Sequence, residues 1–316
     1  MPEEKIKAPL VRIFAGPQGA RAGWRALLFV VLTLLIAIPM VLAMYWLHLA
    51  PHPAGALIPP ATVFMGEGIF LPAALLAAWL LSRIERRAWR GYIAPVTANF
   101  GRNFRVGAFW GLAAMSALLG GLRLAGVYSF GALSAHGAEI AYYALVWAAA
   151  FLLVAGFEEF FFRGYLLYTF ATGMGFWPAA LLSSFFFGAI HLGNRGEDIV
   201  GALSAGLAGL FFAFTVRRTG NLGFALGVHA GWDYAESFIY GVPDSGARST
   251  GALLHPGIHG PAWLTGGGVG PEGSLLVFVI LGALFLVFHR TYPAIRYPEL
   301  KSRATAPSPA PPPEPA

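Results

Sequence analysis

The sequence predicts an all-α polytopic membrane protein, a single bundle of about eight transmembrane helices with N- and C-termini cytoplasmic. Of its 316 residues, 57% are hydrophobic and only 11% are charged, and the mean hydropathy is +0.64, outside the usual range of soluble chains. Several apolar runs approach the roughly 20 residues that a helix needs to cross about 30 Å of hydrocarbon. Lys and Arg fall in blocks between these runs, so the net charge of +6 marks topology rather than a surface for nucleic acid. The absence of cysteine excludes disulfides, a thiol nucleophile and thiolate metal ligands.

Residues 1–25 carry Lys5, Lys7, Arg12, Arg21 and Arg25 ahead of the apolar run 26–49. The core of a secretory signal spans only about 7–15 residues, so this run reads as a retained first span. A proline-rich loop over 51–60 lacks Lys and Arg and leads to a second span at 63–81. The next segment is basic, with Arg83, Arg86, Arg87, Arg90, Arg102 and Arg105, and its Trp89 and Tyr92 suit a membrane interface. Spans at 106–124, 139–170, 177–192, 199–216, 222–240 and 274–288 complete the set, with a Gly/Pro-rich loop at 241–273. The Pro/Ala-rich tail is expected to be disordered. The chain therefore divides into a basic cytoplasmic segment 1–25, a membrane domain 26–290 and a cytoplasmic tail 291–316. With this count, the positive-inside rule places all 21 Lys and Arg residues inside except Arg123, Arg163, Arg195 and Arg248.

The fourth span contains GFEEFFFRGYLL, which puts Glu158, Glu159 and Arg163 inside an apolar run. Charged groups in a bilayer are expensive, face a protein interior or wet cavity, and mark function by default. Side chains four apart share a helix face, so Glu159 and Arg163 are expected to neutralise each other as a structural pair. Glu158 points about 100° away and is left to meet another helix. Later spans add Phe187 and His191, then His229 and Asp233, each pair at a spacing of four. Glu158 lies about as far before the hairpin tip at Met174 and Gly175 as His191 lies after it, so the two reach one depth. His229, roughly 15 Å above the turn at 219–221, shares that depth if the 171–176 hairpin projects beyond the cytoplasmic side of the bilayer. A glutamate and two histidines at one depth, opening toward the cytoplasmic half, suit amide hydrolysis by an activated water. One group takes the proton, and a second donor holds the developing oxyanion.

The order EExxxR (Glu158, Glu159, Arg163), FxxxH (Phe187, His191) and HxxxN/D (His229, Asp233) on successive helices resembles the CAAX prenyl protease and bacteriocin-processing (Abi) family, over residues 139–240. The resemblance implies an intramembrane endopeptidase whose catalytic core is that segment. In it, Glu158 and His191 would activate water, while His229 and the residue at Asp233 would stabilise the oxyanion; Glu159, Arg163 and Phe187 would support them. The implied partners are the bilayer and a peptide or protein substrate, lipidated or membrane-anchored, and no metal or other cofactor is implied. The eukaryotic prenyl-protein members carry Asn at the last position. An ionised Asp233 cannot donate to an oxyanion, so here it is expected to orient and charge His229.

Each residue also has a structural reading. His191 would serve as an interhelical hydrogen bonder, His229 with Asp233 as a buried pair, and Phe187 as core. Glu67 and Glu139 are placed in water at outer span ends. Glu236 belongs either to the His229 network or to an interface position, and His255 and His259 are taken as ordinary loop residues. A serine protease is disfavoured because G-x-S-x-G does not occur. Zinc is the alternative cofactor, held by Glu158, His191 and His229, although H-E-x-x-H is absent. A proton-coupled transporter or a non-catalytic scaffold is the alternative from another class; against transport, no paired broken helices recur in two halves. The Ala/Gly/Arg-rich composition fits a bacterial plasma membrane.

Overall fold

The computed structural model describes residues 15–16, 19–51, 57–85, 99–194 and 196–297. The expectations for Lys5, Lys7, Arg12, Arg86, Arg87, Trp89, Arg90, Tyr92, Arg195, Lys301, Arg303 and the proline-rich tail fall outside those residues. Apolar runs become helices because a backbone without water must satisfy its N–H and C=O groups within its own segment. Each predicted run has its helix: α1 (Ala22–Trp46), α2 (Pro60–Ile84), α3 (Phe100–Leu124), α4 (Ala138–Met174), α5 (Phe176–His191), α6 (Ile199–Thr219), α7 (Gly223–Asp233, continued by Tyr234–Ile239) and α8 (Leu276–Thr291). Among the described residues, α1, α2, α3, α4 and α6 are long and apolar enough to cross a membrane. The helices α5 and α8 have 16 residues each and reach only about 24 Å. Every residue of Gly223–Asp233 except Leu226 is buried, so α7 runs inside the bundle. The chain is a polytopic helical bundle, in which, among the described residues, five helices meet the length and apolarity of a full span and the others are shorter.

Several boundaries differ from the hydropathy reading because polar residues continue a helix past its apolar stretch. Arg102 and Arg105, expected in a loop, lie in the first turns of α3. Arg25, expected as a solvated topology charge, is buried in α1. Its Nη1 lies 3.0 Å from Glu85 Oε2 and its Nη2 donates to Thr172 Oγ1 at 2.5 Å, so one side chain ties α1 to the end of α2 and to α4.

The most extensively packed helix pair is α3 with α7, and its contact is built from glycine. Gly107 and Gly111 on α3 face Gly227 and Gly231 on α7, and a Cβ at any of the four would overlap a backbone carbonyl of the opposite helix. Both helices carry the small-xxx-small spacing that lets backbones approach in a medium where apolar side chains gain little by association. This seam fixes α7, and therefore His229, against the rest of the bundle.

Two helices change pitch close to the charged residues. Wider, π-helical turns occupy Phe160–Leu166 in α4 and Tyr234–Ile239 in α7, beginning directly after Glu159 and Asp233. Such turns rotate everything that follows relative to an ordinary α-helix and are frequent at functional sites. The 241–273 loop caps one end of the bundle. Within it, Leu254–Ile258 pairs antiparallel with Tyr128–Leu133, and Arg248–Ser249 pairs in parallel with Leu57–Ile58. His255 lies in the first of these pairings, opposite Ala132.

The glycine seam predicts that Gly111→Ala lowers the thermal stability of the detergent-solubilised protein by about 1–3 kcal/mol, the usual penalty of overpacking. Gly120→Ala, in the same helix with nothing near its added carbon, is expected to be neutral or slightly stabilising. Equal melting temperatures for the two variants would contradict this packing.

Candidate active site

The site begins with a buried ion pair. Arg163 Nη1 donates to Glu159 Oε1 at 3.0 Å, and neither side chain is exposed to solvent. The guanidinium carbon lies 4.1 Å from the centroid of Phe187 and 5.2 Å from that of Phe212, which places the cation over aromatic faces. Gly209 faces Arg163 Nη2, and a side chain there would overlap it. The expected pairing of Glu159 with Arg163 is present, and Phe187 holds the cation from the other side.

Glu159 has a second partner that its helix face alone does not reveal. The same Oε1 lies 3.0 Å from His229 Nδ1. A carboxylate accepts, so Nδ1–H is the donor, and the imidazole is turned with Nε2 away from Arg163. That nitrogen lies 3.6 Å from Glu158 Oε2 and 3.5 Å from Asp233 Oδ2. The opposite side of the ring system is occupied by Phe212, stacked at 5.2 Å between centroids with an interplanar angle of 14°. Asp233, expected to orient His229, is therefore the looser neighbour, and Glu159 makes the shorter, directed contact.

His191 sits in the last turn of α5, where its Nδ1 lies 2.6 Å from Phe187 O. A carbonyl oxygen only accepts, so Nδ1 carries the proton and Nε2 is left as an acceptor. The ring also packs on Phe187 at 4.6 Å between centroids.

Glu158, His191, His229 and Asp233 all line one cavity of about 210 Å³. Glu158 and His229 approach each other as their common depth requires, whereas His191 takes Phe187 as its hydrogen-bond partner and shares the cavity wall with Glu158. The walls also include Ser245, Ala247 and Glu272 from the 241–273 region. These walls extend to the loop, at the end of the bundle opposite the Gly175 turn.

Several carboxylates near this cavity were not assigned by the sequence pattern, Asp244 among them. Glu67, expected in water at a span end, lies eight residues into α2 by sequence, in the electrostatic field of Glu158 and His229, and its Oε2 is buried without a hydrogen-bond partner among the described residues. Its position inside an apolar run was the available signal, lost because the second span was drawn to start at 63 rather than 60. Glu236 is fully buried at the π-helical end of α7 and belongs to the interior, not to an interface. Glu272 reaches the cavity from a loop, where no periodicity marks it. Glu139, by contrast, is exposed in the first turn of α4, as expected. Among the described residues, Glu158, His191 and His229 do not form a cluster of mutually close metal-ligating atoms; Glu236, Asp244 and Glu272 do, with one oxygen from each within 4.8 Å of the others.

An apolar helical bundle enclosing a cavity lined by ionisable side chains defines a multi-pass membrane protein with an intramembrane polar site. Residues 140–235 match the family model described as type II CAAX prenyl endopeptidase Rce1-like. That segment, which holds Glu158, Arg163, His191, His229 and Asp233, is similar to this family of membrane endopeptidases. No curated protein matches the chain.

The two adjacent glutamates are expected to respond differently to substitution. Glu159→Ala leaves Arg163 buried without its counter-ion and should lower stability by roughly 3–5 kcal/mol, whereas Glu158→Ala, whose side chain is 20% exposed to the cavity, should remain close to the parent in thermal unfolding. Equal losses from both would contradict the division of roles.

Proposed function

We propose that the chain is an intramembrane endopeptidase that hydrolyses a peptide bond in this cavity by a water activated at Glu158 and His191, without a covalent enzyme intermediate. The observation that carries the reading is the meeting of Glu158 and His229 at 3.6 Å on the wall of a cavity they share with His191. A volume of about 210 Å³ exceeds the roughly 10–15 Å³ of the same measure that one water needs.

In the proposed reaction, a carboxylate oxygen of Glu158 takes a proton from the water as its oxygen bonds to the scissile carbonyl carbon. His191 supports this step through Nε2, the acceptor left open by the bond from Nδ1 to Phe187 O. His229, with a proton on Nε2, donates to the oxyanion as the carbonyl π bond opens. The proton held by Glu158 then passes to the leaving nitrogen as the C–N bond breaks, which restores the carboxylate. Asp233 Oδ2 lies 3.5 Å from Nε2 and, when ionised, favours the imidazole keeping its donor between turnovers. Such proton-transfer steps contribute about 10²–10⁴-fold each.

Because the cavity walls reach residues 241–273, the substrate segment is proposed to approach from that end of the bundle. A peptide or membrane-anchored protein fits such a site, and a lipidated C-terminus is one form such a substrate can take. The apolar, Ala/Gly/Arg-rich chain is assigned to the plasma membrane on composition. The metal-free mechanism is favoured over zinc because the two histidines and Glu158 do not bring their ligand atoms together in one cluster.

Cells carrying the wild-type chain and cells carrying Glu158→Ala are expected to differ in their membrane-derived peptides, with at least one product lost by 10²-fold or more in the variant. Turnover should also survive a zinc-selective chelator. Identical peptide profiles would sink the protease reading, and activity abolished by the chelator and restored by zinc would overturn the metal-free one.

A further inference from the structure

The loop end of the cavity holds a group of side chains that the proposed hydrolysis does not use. Glu236, from the π-helical end of α7, meets Asp244 and Glu272 from the loop, with one carboxylate oxygen of each within 4.8 Å of the others. Their donors are few: Ser237 Oγ donates to Asp244 Oδ2 at 3.0 Å and Ser245 Oγ to Glu272 Oε2 at 2.9 Å. The single indole N–H of Trp232 is divided between Glu236 Oε2 at 3.0 Å and Glu272 Oε1 at 2.9 Å. Among the described residues, neither Lys nor Arg lines the cavity.

A second observation indicates what this group lacks. Glu236 has no solvent exposure, and its Oε1 has no hydrogen-bond partner among the described residues. A buried carboxylate oxygen without a donor is expensive, and two neighbouring carboxylates raise that expense by repulsion. A cation placed among the three would satisfy the orphan oxygen and remove the repulsion together.

We propose that Glu236, Asp244 and Glu272 form a binding site for a hard divalent cation of the calcium, magnesium or manganese class. The donor set is all oxygen, without the imidazole or thiolate that would select zinc or copper. The bound ion joins the last turns of α7 to the 241–273 loop, one helical turn beyond Asp233, and so holds the cavity wall in place. It stands apart from the hydrolytic residues, and its presence does not depend on the protease reading.

The probe is manganese alone, titrated into the full-length protein in detergent and followed by electron paramagnetic resonance. One bound ion per chain is expected, displaced by calcium and showing no histidine nitrogen coupling. Asp244→Asn and Glu272→Gln should each weaken binding at least tenfold, while Glu158→Ala should bind as the parent does. Absence of stoichiometric binding to the folded parent chain up to about 1 mM, the weak end for oxygen-ligated sites, would overturn the proposal. So would histidine nitrogen coupling in the parent, which locates the ion at His191 or His229 even where the loop variants fail to fold.

Discussion

One buried oxygen, Oε1 of Glu159, accepts from both Arg163 and His229 at 3.0 Å, and the polar interior depends on that shared contact. Removing a carboxylate and a guanidinium from water costs several kcal/mol per ion. A lone Coulombic contact does not reliably offset it. Here the cation also lies over Phe187 and Phe212, and Gly209 leaves the space it needs. The anion gains a second donor on another helix. The result joins α4, α5, α6 and α7 around a charged centre and fixes which nitrogen of His229 faces the cavity.

Much of the architecture was legible because hydrophobic runs and glycine turns are local properties of the chain. The positions of eight helices, the hairpin tip at Gly175 and the i,i+4 pairing of Glu159 with Arg163 all follow from period and length. What escaped depends on partners distant in sequence. The second role of Glu159 requires His229, 70 residues away, and no spacing within α4 signals it. The same is true of Glu272, which sits in a loop, and of the π-helical turns, which reposition Arg163 and Glu236 without a marking residue type. The glycine seam was different: Gly107, Gly111, Gly227 and Gly231 stand four apart in each helix, so the spacing carried a packing signal that hydropathy alone does not weigh. Glu67 was likewise visible as a charge inside an apolar run and was lost to a boundary error of three residues.

The cavity has a part lined by histidines and an acidic part with different polarity logic. Around His229, one oxygen each of Glu158, Glu159 and Asp233 lies within 3.6 Å of an imidazole nitrogen. Toward the loop, carboxylates gather with hydroxyl and indole donors alone. Trp232 stands between the two, one residue before Asp233 and bonded to both Glu236 and Glu272. The wall beside the histidines is thereby continuous with the loop, which links the geometry of residues 241–273 to the position of the site.

The orientation of His229 is the feature from which the site's chemistry follows, and nitrogen-15 solid-state NMR of the histidine-labelled protein in lipid reads it directly, with His229→Gln assigning the resonance. A proton on Nδ1, held by Glu159, and an Nε2 shift that moves on Glu158→Gln are the predicted results. An unprotonated Nδ1, or an Nε2 signal indifferent to Glu158, would contradict the account.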